Sequence, residues 1–430
     1  MMSGLQQQLA ELVGETNLSA DGAAHAIHGQ LPTLVVTPGS VEELAQSMAL
    51  CYEARVPVVP WGGGTRQLWG RPLSATSFVV IKTTRLNRLL TYEPDDLTIS
   101  VEAGMTLGHL DQLLAANNQM LPLDAPWPER TTIGGLLATA IDGPRRPGYG
   151  TARDLLIGIR VVEATGRISK AGGMVVKNVS GFDMMKLYLG SLGTLAIIVS
   201  ANFKLLPQPR ATGTLACSFA QPAAAFAFAE AIRASYLTPA AVEYLEGWPV
   251  EAAATTITML VRIEGLPAAV ERHVRDLSGM AAHAGATAVQ RDPPAELGLA
   301  WAQVANVAHP LTATPGELSL RLSCLPGALE QTLAVLRDLA RRQGLLLRID
   351  ARALSGMAYL RLVGDEETLR GWYTAALALH PQLSLIAATP ALAAELPVWG
   401  VAHANLELMQ RIKQEFDPDR LLNPGRYLVG

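Results

Sequence analysis

The chain has 430 residues, more than one ordinary hydrophobic core organises, so two domains are the expectation. It is 49% hydrophobic and 17% charged with a net charge of −4, a folded composition that excludes disorder. No long basic run occurs, so nucleic acid is not an expected partner.

Cys51, Cys217 and Cys324 lie far apart with no C-x-x-C, which excludes a self-contained iron–sulfur cluster and argues against a disulfide framework. The N-terminus lacks the basic and apolar regions of a signal peptide. No apolar run reaches membrane-spanning length. The expected location is cytoplasmic, with any membrane association made through partners.

Residues 1–30 read as one amphipathic helix and a loop, and Leu31–Thr37 as a strand. Ser40 with Glu43 forms a capping box for a helix whose apolar positions Val41, Leu44, Ala45 and Met48 keep helical spacing. Cys51 adjoins that stripe and is expected to be buried. Phe78–Lys82 and Leu97–Ala103 read as strands, and about Leu107 to Ala116 as a helix capped by Thr106. In the strand Leu155–Glu163, Gly158 marks a bulge or a close backbone approach. Thr194–Leu206 reads as one long strand or a hairpin. After Leu206-Pro207-Gln208-Pro209, short strands (Ile257–Glu264, Ala358–Leu362) alternate with Ala-rich helices such as Pro267–Gly279. That pattern suits an antiparallel sheet with helices on one face. A last helix, roughly Ala404–Glu415, runs into a Pro- and Asn-rich ending that suggests a docked terminus. The expected domains are 1–207, 208–395 and a returning segment 396–430.

Glycine-rich loops carry the functional signal. Pro60 is followed by Trp61, Gly62, Gly63, Gly64, Thr65, Arg66 and Gln67. Three successive glycines remove every Cβ, so several backbone N–H groups can converge on one anion. Thr65 adds a hydroxyl and Arg66 a possible counter-charge. The loop is neither a Walker A sequence nor a Rossmann fingerprint, and taken alone it also suits a structural turn. Thr131, Thr132, Ile133, Gly134 and Gly135 open an Ala/Leu-rich helix whose N-terminus suits a phosphate or a polar ring edge. Residues 172–195 pack glycines around Lys177, Asn178 and Asp183 and end in Gly190-Ser191-Leu192-Gly193-Thr194. This block reads as backbone brought close to a polar ligand, or as an interdomain linker. From Asp142 to Lys186 there are eight Lys/Arg against four Asp/Glu, which suits an anionic ligand and equally a solvated surface.

Three blocks carry a family resemblance: Gly148-Tyr149-Gly150-Thr151-Ala152-Arg153-Asp154 through Gly158; Val176 to Asp183 followed by Gly190–Leu195; and Phe416-Asp417-Pro418 through Leu422-Asn423-Pro424-Gly425. In this order they resemble the vanillyl-alcohol-oxidase flavoproteins with a PCMH-type FAD-binding domain. Within them, the likeness runs toward the FAD-binding E subunits of bacterial glycolate oxidases. The resemblance implies an α+β protein: a two-subdomain PCMH-type FAD-binding fold with an α+β cap. By the same resemblance, Trp61–Gln67 would wrap the pyrophosphate and Thr131–Gly135 would line the flavin side. Gly190, Gly193, Thr194 and the backbone near Ile197 would enclose the ADP part, with Asn423 contributed by the tail. Lys177, Asn178 and Asp183 would order the flavin-facing loop. Some relatives attach FAD through a His in the glycine loop; Thr65 holds that place here, so non-covalent FAD is expected.

Relatives that oxidise 2-hydroxy acids carry a cap motif resembling H-x-G-D-G-N-x-H, and no such run exists here. His273, His283, His309 and His380 are isolated, and only His403, in Val401-Ala402-His403-Ala404-Asn405, is near an Asn at loop-like spacing. No metal site is expected, and no catalytic base is assigned. The first reading is the FAD-binding subunit of a glycolate oxidase complex, working beside a second flavin subunit and an iron–sulfur subunit. The alternatives are a self-sufficient dehydrogenase of a small 2-hydroxy acid or polyol, and a structural subunit with a degenerate flavin site.

Overall fold

The computed structural model describes residues 2–175, 182–248, 257–292, 301–302, 304–306, 308–401 and 403–429. The chain divides into two units: Met1–Ile141, Thr151–Pro207 and His403–Gly430 form unit 1, and Asp142–Gly150 and Gln208–Ala402 form unit 2. The nine residues from Asp142 thus belong with unit 2 inside a stretch whose sequence texture does not change. An ion pair between Asp142 and Arg352 anchors them.

Unit 1 opens with α1 (Met2–Val13), which buries Leu5, Leu9 and Val13 at successive turns of one face. Strands β1 (Leu18–Ser19) and β2 (Leu34–Val36) precede α2 (Val41–Glu53), and β3 (Val58–Trp61) and β4 (Val79–Lys82) follow. The sheet order is β1-β2-β4-β3, with β2 and β3 both parallel to β4. At the start of α2, Ser40 Oγ accepts from the Glu43 N–H at 3.0 Å. The Glu43 carboxylate reaches one residue further back than a capping box, accepting from the Gly39 N–H at 2.7 Å. Cys51 is fully buried, and burial pushes its thiol up to about 12.

The second half of unit 1 contains β5 (Leu89–Glu93), β6 (Thr98–Glu102), α3 (Leu107–Ala115), β7 (Gln119–Met120) and α4 (Ile133–Thr139). After unit 2 claims α5 (Arg146–Tyr149), α6 (Ala152–Leu155) leads into β8 (Leu156–Glu163), β9 (Ile168–Gly172), α7 (Met185–Tyr188), β10 (Ala196–Lys204) and β11 (Leu206–Pro207). The sheet β5-β6-β10-β8-β9 is antiparallel throughout. Strand β10 is one strand and not a hairpin, paired with β6 on one edge and β8 on the other. Gly158 serves both of its expected roles. The ladder shifts register at Asn202/Phe203, and a Cβ on Gly158 would stand 2.8 Å from the backbone oxygen of Gly173.

Unit 2 is built on β12 (Ala211–Phe219), β13 (Ala241–Glu246), β14 (Ile257–Gly265), β15 (Ala288–Arg291), β16 (Glu317–Ser323), β17 (Leu346–Arg352), β18 (Met357–Val363) and β19 (Ser384–Ala387). These pair antiparallel in the order β15-β12-β14-β13-β17-β18-β16-β19. The helices α8 (Pro222–Arg233), α9 (Pro267–His283), α10 (Leu329–Arg342) and α11 (Glu366–Leu379) pack Phe228, Leu277, Leu336 and Trp372 against Val242, Ile349 and Leu360 of the sheet. Each such side chain contributes roughly 1.5–3 kcal/mol by leaving water. The opposite face, where strand alternation places Ala241, Leu245 and Leu260, joins a separate, smaller cluster with Trp301 and Val304. A short helix, α12 (Pro390–Glu395), closes unit 2.

The chain then returns to unit 1 through α13 (Leu406–Phe416). Beyond it the tail docks beside β3: the Val58 N–H donates to Leu421 O at 2.7 Å and the Asn423 N–H donates to Val58 O at 2.8 Å. The buried Lys413 Nζ fastens this turn by donating to Asp417 Oδ2 at 2.6 Å, Thr194 O at 2.8 Å and Leu422 O at 3.1 Å. No helix among the described residues is long and apolar enough to cross a membrane.

Candidate functional site

A cleft in unit 1 is lined by Pro60–Gln67 at the end of β3, by Thr132, Gly134, Gly135, Ala138 and Thr139 of α4 and its cap, by Leu192 and Gly193 before β10 and Ala196–Ile198 within it, and by Asn423 with Arg426 from the tail. The first lies at the carboxyl end of a parallel strand, where the backbone turns away from the sheet and exposes its amides.

The glycine loop is shaped by what crowds it from behind. A Cβ on Gly63 would overlap the Arg130 carbonyl oxygen, and one on Gly62 would overlap Thr132 Oγ1. Gly64 has φ +71, and a Cβ there would meet the Trp61 ring at 2.9 Å. Among the described residues, the N–H groups of Gly62, Gly63 and Gly64 make no hydrogen bond. Three consecutive donors without acceptors, stripped of side chains on a cleft wall, are what a phosphate would occupy. The residues present therefore fit the pyrophosphate of an FAD.

Hydroxyls behind the loop hold it. Thr131 Oγ1 donates to Pro126 O at 2.7 Å, so across the 3.0 Å Thr65–Thr131 contact Thr65 is the donor. Its proton points away from the position a phosphate would take, and Thr131 acts from outside the cleft lining. Arg66 Nη1 donates to Thr65 O at 2.6 Å. On α4, Thr132 Oγ1 accepts from the Gly135 N–H at 3.2 Å and Gly134 N–H donates to Ala103 O at 2.7 Å. These amides are already bonded, so Gly134 and Gly135 offer a ligand a close, flat surface.

Arg426 is the contributor that the motifs did not single out. Its guanidinium donates to the carbonyl oxygens of Gln67, Trp69 and Arg71, each at 2.8 Å. Burial pulls its pKa down to about 10, so the charge persists at neutral pH in the cleft lining. The one sequence signal for it is the Asn-Pro-Gly-Arg ending, where Arg follows the turn glycine. Beside it, Asn423 Nδ2 donates to Leu192 O at 2.6 Å, while its buried Oδ1 has no partner among the described residues. His28 Nε2 lies 3.0 Å from Gly70 O, and burial together with the Arg426 charge lowers its pKa to about 4.

The structure brings Trp61–Gln67, Thr132, Gly134, Gly135, Gly193, Ile197 and Asn423 together around this cleft. Gly190 and Thr194 line a separate apolar pocket with Met409 and Ile412 on another side of the same turn. Asp183 is exposed and lies 4.0 Å from Lys186 Nζ. Lys177 and Asn178 lie outside the described residues. Among the described residues, no group of three His, Cys, Asp or Glu stands close enough to hold a metal.

Residues 32–181 match the family described as FAD binding domain, and residues 400–427 match FAD linked oxidases, C-terminal domain. The first match contains the loop-bearing part of unit 1 together with residues 142–150 of unit 2, and the second contains the tail that docks beside β3. The chain is 24% identical to glycolate oxidase subunit GlcD of Bacillus subtilis, over 98% of this chain and 96% of that protein. It is 34% identical to glycolate oxidase subunit GlcE of Escherichia coli, over 40% of this chain and 49% of that protein. The likeness to an E subunit thus holds over part of the chain, whereas the full-length match is to a D subunit. The comparisons do not support the narrower E-subunit assignment. The fold superimposes on 4-ethylphenol oxidase from Gulosibacter chungangensis with a TM-score of 0.76 at 13% identity, covering 99% of this chain and 96% of that one.

Proposed function

From a chain that belongs to the FAD-linked oxidoreductases and carries their PCMH-type α+β fold, we propose an FAD-holding subunit of a glycolate-oxidase-type assembly. It would act on small 2-hydroxy acids beside a second flavin subunit and an iron–sulfur subunit. The observation that carries this reading is the run of three amides at Gly62–Gly64, unbonded among the described residues, with the Arg426 charge in the same cleft lining.

When bound, FAD supplies a two-electron acceptor for oxidation at a CH–OH group. Gly62, Gly63 and Gly64 would donate to the pyrophosphate without reorganising, since their positions are fixed from behind by Arg130 and Thr132. Ala138, Gly134 and Gly135 would provide the close-packed wall that a flat ring system needs. Asn423 Oδ1 would accept from an N–H or hydroxyl of the cofactor, its amide being held in place by Leu192 O. The subunit role rests on the missing H-x-G-D-G-N-x-H run, which leaves this chain without the base that its hydroxy-acid-oxidising relatives carry.

A second reading, a self-sufficient 2-hydroxy-acid dehydrogenase, is favoured by the full-length match to a D-type subunit. The visible spectrum of the purified chain, followed by anaerobic addition of glycolate or D-lactate, separates the two. A flavin band that stays oxidised supports the subunit role. Bleaching supports the self-sufficient enzyme, and a flavin-free chain that takes up no FAD overturns both.

A further inference from the structure

The face of the unit 2 sheet away from α8–α11 carries a charge arrangement that the FAD cleft does not use. Arg348 on β17 and Arg361 on β18 are direct cross-strand partners. Like charges facing each other across a ladder are unfavourable and call for compensation. Trp248, two residues beyond β13, supplies part of it: the two guanidinium carbons lie 5.2 Å and 5.4 Å from its ring centroid. Glu317 supplies another part, 3.8 Å from Arg361 Nε, as an ion pair without a hydrogen bond.

Compensation remains incomplete. Among the described residues, the buried Nε–H of Arg348, the buried Nε–H of Arg361 and the buried Nε1–H of Trp248 have no acceptor. Unpaired buried donors carry a desolvation cost, and three in one cluster form a site lacking its acceptor. The Arg361 side chain is still 20% exposed, which leaves the cluster open to solvent. In the neighbouring row of the same face, Asp350 stands opposite Tyr359, which stands opposite Arg321, so that row brings its own counter-charge.

We infer that Trp248, Arg348 and Arg361 form a binding site for a small monocarboxylate. Two guanidinium groups less the Glu317 carboxylate leave one net positive charge, which matches a monocarboxylate and not a phosphate dianion. The planar edge of a guanidinium presents donors at the spacing of carboxylate oxygens. That the carboxylate belongs to a 2-hydroxy acid rests on the function proposed above; the site itself does not.

The test uses the full-length, FAD-loaded protein and 2-hydroxyisobutyrate, a hydroxy acid with no α-hydrogen to lose. Binding is followed by tryptophan fluorescence at constant ionic strength, with inorganic phosphate as the competing probe. Saturable quenching by the hydroxy acid is expected, at least tenfold weaker in R348Q and in R361Q, with its amplitude lost in W248F. FAD absorbance should be the same in all variants. Should R348Q fail to fold, R348K retains the charge, removes the fork, and is expected to show the same weakening. Unchanged binding in both arginine variants, absence of saturable quenching, or tighter binding of phosphate than of the hydroxy acid would overturn the site. A wild-type chain free of FAD would instead overturn the flavoprotein reading, and the quenching titration would still decide the site.

Discussion

Asn423 and Leu192, 231 positions apart, both hold left-handed backbone conformations, with φ 48 and 53, and are joined by a 2.6 Å hydrogen bond from Asn423 Nδ2 to Leu192 O. Asn tolerates that region better than most residues, and the bond satisfies a carbonyl at the mouth of the cleft. Replacing Asn423 with Ala removes both advantages, at a combined cost of about 2–4 kcal/mol. Asn423→Gly retains the backbone freedom and removes only the amide. We expect thermal melts to place Asn423→Gly between wild type and Asn423→Ala. FAD titration should show both variants equally weakened, because both lose the Oδ1 acceptor. FAD affinity that follows stability and not the amide would count against a contact from Asn423.

The glycine loop makes a steric prediction. Because a Cβ on Gly63 would overlap the Arg130 carbonyl, Gly63→Ala must displace backbone on one side of the cleft. Gly173 lies in unit 1 with nothing within 4 Å of an added Cβ and is the matched control. Gly63→Ala should lose FAD during gel filtration, whereas Gly173→Ala should keep a wild-type ratio of visible to ultraviolet absorbance. A fully loaded Gly63→Ala would show that the loop is not the phosphate cradle.

Thr65 stands where some relatives carry a linking His, and its hydroxyl is engaged with Thr131 at 3.0 Å. Acid precipitation of the loaded protein should therefore release all FAD into the supernatant. Yellow colour retained in the pellet would indicate a covalent bond made elsewhere in the chain.

Much of this architecture was legible in local patterns, because local physics decides it. The Ser40 and Thr106 caps, the two glycine loops and the Asn423 ending follow from residue types at fixed spacing. What was not legible depends on long-range pairing. Nothing near Asp142 announces that residues 142–150 belong with unit 2, since the reason is Arg352, 210 positions away. Arg426 could not be recognised as the clamp on Gln67, Trp69 and Arg71 without knowing that the tail docks beside β3. The Arg348–Arg361 pair exists only in the observed register, since a one-residue slip would turn one of them to the other face.

The Asp142–Arg352 pair permits a stability test within unit 2. Burial alone would raise the Asp142 carboxyl, but the Arg352 and Arg146 charges hold it below the usual carboxylate range. Both partners are buried, and Asp142→Asn leaves Arg352 with only the Glu243 carboxylate, 4.0 Å from its Nε, as counter-charge, at a cost of up to about 3–5 kcal/mol. The double variant Asp142→Asn/Arg352→Met removes that under-compensated cation and should recover part of the loss. Denaturant unfolding of the single and double variants measures this. A double variant less stable than Asp142→Asn alone would mean that Arg352 stabilises unit 2 through its other partners.

His28 makes the site sensitive to acid. Its pKa is lowered from 6.5 to about 4, chiefly by burial and then by the Arg426 charge, so the folded protein favours the neutral ring. Between those values the unfolded chain binds the proton that the folded chain resists. Stability is therefore complete above about pH 6.5, falls as pH drops toward 4, and changes no further below that through this group. The full shift corresponds to at most about 3 kcal/mol, and less after allowance for partial exposure. A protonated His28 would also repel Arg426, which holds Gln67, Trp69 and Arg71 in place, so FAD should dissociate more readily over the same window. His28→Gln keeps a side-chain donor for Gly70 O and removes the titration. Its FAD dissociation rate should vary less between pH 6.5 and 4 than that of wild type. An identical pH profile in the two proteins would place the acid sensitivity in another group.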